Sequence, residues 1–309
     1  MRTRGLTGPG GKLRQGMRVG VIDVGSNTVR LLVAAVGDGE VATLREERAQ
    51  LGLGEELLRH GRVRRRKLAE LAAVTGDYAR IARKLGVREL ETVVTAPGRQ
   101  EDDPQRLLDT LGRATAGEVR VASPEEEGEL AFAGAVARAG IGAAVVAVCD
   151  VGGGSTEVVV GTELRGAGWV RSVDVGSLRL TAALLHRDPP TPGQLEAARA
   201  AVREALAHVR PPRPETALAT GGSARAVARI VGGAYGPDEL EDVIELLAAR
   251  PADESADAFG IRRERARTLL AGSLILAEVS RRLGVPFRPA RGGIREGAAL
   301  RLAAQRLAA

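Results

Sequence analysis

Residues 145–161, VVAVCDVGGGSTEVVVG, place one acid on each side of a glycine, serine and threonine turn, with an apolar run outside each acid. The runs have the length and valine content of buried strands, so the polar cluster falls on a tight turn between them. Gly152, Gly153 and Gly154 lack a Cβ. Their backbone can take positive φ, approach a ligand closely and point several N–H groups into one concavity, which suits an anion. Ser155 and Thr156 add hydroxyl donors, while Asp150 and Glu157 are the hard oxygen ligands that Mg²⁺ prefers. The chemistry these types and spacings support is a metal-phosphate site. Carboxylates at the end of a buried strand are costly unless paired or metal-bound, and this separates the stretch from an ordinary glycine-rich hairpin.

The pattern occurs twice. Residues 19–36, VGVIDVGSNTVRLLVAAV, again run apolar strand, acid (Asp23), turn (Gly25, Ser26, Asn27, Thr28) and apolar strand. An internal repeat of this kind predicts two similar domains facing each other with two phosphate loops. A third anion-suited turn follows the strand at 216–219, where Thr220, Gly221, Gly222 and Ser223 open a helix and aim backbone N–H groups outward.

The elements that must position these turns alternate. Strands are expected at 40–48, 90–95, 118–122 and 165–174, with a glycine-rich connection LGLGEEL after the first and a turn at 96–98. Helices are expected at 63–85, 104–114, 124–138, 177–185, 191–209, 238–249 and 262–283, and Arg291 to Gly297 open a terminal one. Ser123, Pro124 and three glutamates have the form of a helix N-terminus: cap, first-position proline, acidic first turn. Alternating strands and helices define an α/β protein. No low-complexity linker separates the halves, so they are expected to form a clamp. The division expected is a disordered tail over 1–16, an N-terminal domain over 17–128 and a second domain over 129–309, whose terminal helix can pack back on the first. Met17 could also be the true start.

Composition excludes several classes. No run of about 18 apolar residues suits a membrane helix, and the basic, glycine-rich start lacks the apolar region of a signal peptide. The single cysteine, Cys149, lies in an apolar strand, so no disulfide framework exists and a reducing cytoplasm is expected. The three histidines are far apart and show no zinc spacing. The net charge of +6 rests almost wholly on arginine, but aromatic residues are too scarce for the stacking platforms of nucleic-acid binders.

The stretches GVIDVGSNTVRLLV, SPEEEGEL, VCDVGGGSTEVVVG, VDVGSLRLT, ATGGSARAVA and GGIREGAAL resemble, in order, the Ppx/GppA family of exopolyphosphatases and guanosine pentaphosphate phosphohydrolases. The resemblance spans residues 20–300 and implies two actin-like (ribonuclease H-like) domains of the sugar kinase/actin ATPase superfamily across a cleft. It implies Mg²⁺-assisted hydrolysis of a terminal phosphoanhydride, with inorganic polyphosphate or guanosine pentaphosphate as substrate and a homodimer as a possible assembly. The family's catalytic base is the second glutamate of a segment written EEARL; with Leu130 as its last residue, that glutamate is Glu127. Gly128 and Glu129 then stand where the family carries alanine and arginine. Arg99 matches a phosphate-contacting arginine, and Asp23 joins Asp150 and Glu157 as a candidate Mg²⁺ ligand. An ATP-dependent kinase and a non-catalytic sensor of polyphosphate or guanosine tetraphosphate are the rival classes.

Overall fold

The computed structural model describes residues 16–308, so all but the last residue of the expected tail lies outside the described residues. The first half builds β1 (Met17–Val24), β2 (Thr28–Gly37), β3 (Glu40–Gln50), α1 (Leu53–His60), α2 (Arg65–Lys84), β4 (Glu89–Val94), α3 (Ala96–Gln100), α4 (Pro104–Thr115) and β5 (Glu118–Val121). Its strands lie in the order β3-β2-β1-β4-β5, antiparallel from β1 to β3 and parallel from β1 to β5. After α5 (Pro124–Val136) the second half builds β6 (Val146–Val151), β7 (Thr156–Thr162), β8 (Gly166–Val173), α6 (Ser177–Leu184), α7 (Pro192–Ala205) and β9 (Thr216–Thr220). It continues through α8 (Gly221–Val231), α9 (Pro237–Ala248), α10 (Ala252–Phe259), α11 (Arg263–Leu283), β10 (Phe287–Pro289) and α12 (Ile294–Ala308). The order β8-β7-β6-β9-β10, with the same pairing senses, is the first sheet over again.

Both faces of each sheet are covered at its centre, which is why β1, β2, β6 and β7 read as near-continuous apolar runs. Successive side chains point to opposite faces. In β1, Ile22 and Val24 join Leu71 and Leu107 beneath α2 and α4, while Val19 and Val21 join Ala298, Ala299 and Leu302 of α12. In β6, Cys149 and Val151 pack with Val202, Val243 and Leu269 of α7, α9 and α11, while Val146 and Val148 meet Phe132 and Val136 of α5. The two covering helices are therefore exchanged. Each follows the last strand of one sheet and lies on the other.

The exchange makes α5 and α12 cross backbone to backbone. A Cβ on Gly134 would collide with the Gly293 carbonyl, and one on Gly297 with the Leu130 carbonyl.

Four segments depart from expectation. Residues 96–98 are not a turn but the start of α3, where Pro97 occupies the first turn and Gly98 lies against Val121. The LGLGEEL connection contains α1, begun by Gly52 in the left-handed region (φ 63°) and held by buried Leu53 and Leu57. The three-residue β10 and the eight-residue α10 are too short to carry a periodic signal.

The crossing supplies a stability test. Gly297→Ala is expected to cost about 3 kcal/mol, the upper range of overpacking, because the atoms in the way are backbone. Gly112→Ala on α4, where a Cβ meets nothing within 4 Å, is expected to be neutral or mildly stabilising. Urea midpoints of the two variants measure the contrast.

Candidate active site

Strand geometry brings the repeated acids together. Asp23 shares the face of Val19 and Val21, Asp150 that of Val146 and Val148, so both project from the inner faces at the carboxyl ends of β1 and β6. They line one cleft of about 480 Å³ with Thr220, Gly221, Gly292 and Gly293. Burial and the charge of Asp23 push Asp150 up to about 6, against the pull of Arg225, Arg30 and Arg265. Burial likewise raises Asp23, opposed by Arg30 and Arg295.

Glu127 stands in the first turn of α5, which Ser123 caps by accepting from the Glu126 N–H at 3.1 Å. Only 5% exposed, it receives Nη1 of Arg99 at 2.9 Å, and the same nitrogen donates to the Ala122 carbonyl at 2.9 Å. Burial outweighs Arg99 and pushes the Glu127 carboxyl up to about 7, with the charges of Asp150 and Asp23 adding to the rise. The departures beside it have plain causes. A Cβ on Gly128 would come within 2.9 Å of Val170 and 3.0 Å of Val159, so the approach of α5 to the second sheet favours glycine. Glu129 is exposed and does not line the cleft.

Glu157 is the cross-strand neighbour of Asp150 but does not line the cleft. Ser172 donates to its Oε1 at 2.8 Å, and its Oε2 is buried with no partner. Burial, then the charges of Glu127 and Asp150, drive this carboxyl well above the ordinary range.

The glycine loop corrects one expectation: Gly152, Gly153 and Gly154 are not among the positive-φ glycines. What they provide is room. A Cβ on Gly153 would approach the Ser26 Cβ at 3.1 Å, and one on Gly154 the Ser26 Oγ and Ala96 Cβ at 3.1 Å, so the two repeated loops meet tip to tip. Several expected donors are already engaged. Thr156 donates to the Val175 carbonyl at 2.6 Å. Asn27 Oδ1 accepts from Gln50 at 2.5 Å, Gly25 N–H closes its own turn onto the Thr28 carbonyl at 3.1 Å, and Ser155 and Thr28 are buried. In the third turn Gly221 has φ 90° and borders the cleft, where a Cβ would reach Asp150 Oδ1 at 2.8 Å. Gly222 is covered by the Arg265 guanidinium, and Ser223 is fully buried, accepting from Arg265 at 3.3 Å.

The largest feature absent from the sequence reading is cationic. Arg30, Arg48, Arg138, Arg225, Arg262, Arg291 and Arg295 line the cleft, with Arg265 behind. Arg295 pairs with Glu46 at 2.8 Å, but among the described residues Arg30, Arg48, Arg225, Arg262 and Arg265 form no ion pair. The Nε atoms of Arg30, Arg48 and Arg265 are buried without a hydrogen-bond partner. Burial and the neighbouring guanidinium charges push Arg265 down to about 9 and Arg30 to about 10, so both stay protonated at neutral pH. One of these was legible: Arg30 pairs with Asp23 in the register that Glu157 keeps with Asp150, so aligning the repeats marks it. The rest come from five separate segments.

Mg²⁺ fits part of this. It is commonly held by one or two carboxylates together with substrate phosphates, and Asp23 and Asp150 present such a pair, each desolvated on one wall. The expected triad is not a closed ligand set: among the described residues no three His, Cys, Asp or Glu side chains converge to hold an ion.

Two repeated α/β lobes with paired acids at the ends of their first strands define an actin-like protein of the sugar kinase/actin ATPase superfamily. Within it, a model of the Ppx/GppA phosphatase family matches residues 32–305, and the chain belongs to that family. It is 34% identical over 276 residues to an uncharacterised protein of Streptomyces coelicolor, covering 84% of this chain and 82% of the other. It is 30% identical over 283 residues to exopolyphosphatase 1 of Mycobacterium tuberculosis, covering 86% and 82%. The crystal structure of the Aquifex aeolicus Ppx/GppA family member superposes with a TM-score of 0.82 at 25% identity, covering 94% and 98%. No helix among the described residues is long and apolar enough to cross a membrane.

The raised acids make stability depend on pH. Asp150 titrates near 3.8 when unfolded and near 6 when folded, so the folded state binds the extra proton and stability falls as pH rises through that window. Asp150→Asn removes this cost, up to about 3 kcal/mol, and is expected to raise Tm by several degrees at pH 8 but little at pH 4. Thermal unfolding in EDTA at the two pH values measures it.

Proposed function

We propose that the protein is an exopolyphosphatase, cutting the terminal phosphoanhydride of inorganic polyphosphate and releasing orthophosphate. The observation that carries this reading is the cleft itself, in which arginines without carboxylate partners face two desolvated acids. A bare cluster of like charges is unfavourable, and a multiply charged anion with a hard cation would complete it.

In this reading Glu127 takes a proton from the attacking water as the water oxygen bonds to the terminal phosphorus and the bridging P–O bond breaks, leaving the shortened chain. A carboxyl titrating near 7 suits a base at neutral pH. Arg99 holds that carboxylate through Oε2, while Arg30, Arg225 and Arg265 neutralise phosphate oxygens and the Gly221 backbone borders them. Mg²⁺, when bound, would neutralise phosphate charge at Asp23 and Asp150, with Glu157 behind as a proton-holding neighbour. Among the described residues no aromatic side chain lines the cleft to stack a guanine, which favours polyphosphate over guanosine pentaphosphate as substrate. The two units of this reading are residues 17–128 and 129–309, with α12 packing back on the first. The cellular setting we propose is the cytoplasm.

Glu127→Gln tests the assignment. Phosphate release is expected to fall about 10²- to 10⁴-fold while polyphosphate binding persists. In the unsubstituted enzyme kcat should climb as pH rises through about 7, because the deprotonated form is the base, and the climb should vanish in the variant. Near-unchanged release by Glu127→Gln would overturn the role. Tight binding with no release by the native protein would favour the sensor class, and transfer from ATP to an acceptor the kinase class.

A further inference from the structure

Away from the cleft four charged side chains close a ring. Arg120 of β5 donates to Glu91 of β4 and pairs with Glu126 of α5. From the far end of the chain, Nη2 of Arg301 on α12 reaches both Glu91 oxygens at 2.5 and 2.6 Å, and its Nη1 reaches Glu126 Oε1 at 2.5 Å. Each arginine is shared by both glutamates. The Glu91 side chain is 2% exposed and those of the arginines only 20% and 26%, so most of the ring is out of water.

Such a ring is a weak source of stability. Desolvating paired charges offsets most of their attraction, and Arg120 Nη2 and Arg301 Nε remain buried without partners. What a buried ionic set supplies is registry. Here it ties the first turn of α5 to two strands of the first sheet and to α12, and the residue after Glu126 is Glu127. That carboxylate is surrounded by like charges from Asp150, Asp23 and Glu157, and among the described residues its one ion pair is to Arg99. Repulsion alone would turn it away from those acids. Neighbouring residues of a helix are about 100° apart, so pinning Glu126 on one side fixes the rotation that presents Glu127 on another.

We propose that the Glu91, Arg120, Glu126 and Arg301 ring is the positioning device for Glu127, and that the terminal helix thereby takes part in setting the site. The ring touches no reacting group. Two positive and two negative charges nearly cancel at a distance, so it acts through geometry. The inference rests on the role proposed for Glu127.

The test compares Arg301→Met with Arg306→Met, which removes an exposed pair to Glu89 further along the same helix. Arg301→Met is expected to lower kcat roughly 10- to 100-fold with KM within twofold and the pH midpoint unmoved, as displacement of a catalytic group does. Arg306→Met should leave kcat unchanged. Arg301→Lys should recover little, since one ammonium cannot span both glutamates. Glu126→Gln combined with Arg301→Met should lose no more than the worse single variant. Hydrogen exchange of the peptide covering 124–130 gives a readout independent of turnover and should quicken in Arg301→Met but not in Arg306→Met. Unchanged kcat below the melting transition together with unchanged exchange would overturn the inference, whatever the change in Tm. If Glu127→Gln stays active while exchange quickens, the catalytic role of Glu127 fails and the ordering of α5 by the ring stands.

Discussion

The crossing of α5 and α12 is the constraint from which the rest follows. Each helix leaves the sheet that precedes it and covers the inner face of the other, and glycine carbonyl contacts set how closely the two approach. Because the covering is exchanged, neither inner core is complete without the other half. The carboxyl ends of β1 and β6 are thereby brought to one cleft, with Asp23 and Asp150 on its wall. Glu127 enters the same neighbourhood because it begins the helix that makes the crossing.

Electrostatics then work against stability at this place. Four acids, Asp23, Glu127, Asp150 and Glu157, are held up by burial, the last three also by one another or by Asp23, and the arginines beside them are held down by burial and by like charge. Opposite charges are present, yet few are paired; Arg99 with Glu127 and Arg295 with Glu46 are the clear contacts. Interactions left unmade in the free protein are available to a ligand, and the fold tolerates the cost because two large apolar cores lie on the outer faces.

Legibility followed periodicity. The doubled acid-turn pattern predicted two equivalent lobes, and the long helices fell within a few residues of expectation because their apolar spacing is local. Residues 96–98 were expected as a turn because Pro97 and Gly98 signal one in isolation, whereas packing of Gly98 on Val121 makes a helical turn of them. Apart from Arg30 of β2, which the repeat marks, the arginine wall was invisible because its members come from β3, the chain after α5, α8, the start of α11 and the approach to α12. Nothing in their spacing relates them.

The sequence by itself determined the repeat, the strand ends that carry Asp23 and Asp150, and the capped helix start that carries Glu127, since each depends on residues within about one turn or strand of each other. It also marked the three glycines at 152–154, but suggested a positive-φ backbone as their reason. Only the tertiary structure decided that Gly153 and Gly154 serve the close approach of Ser26 and Ala96 and that none of the three has a left-handed backbone. The reason is that the atoms they make room for belong to other segments, and a local pattern holds no record of what packs against it.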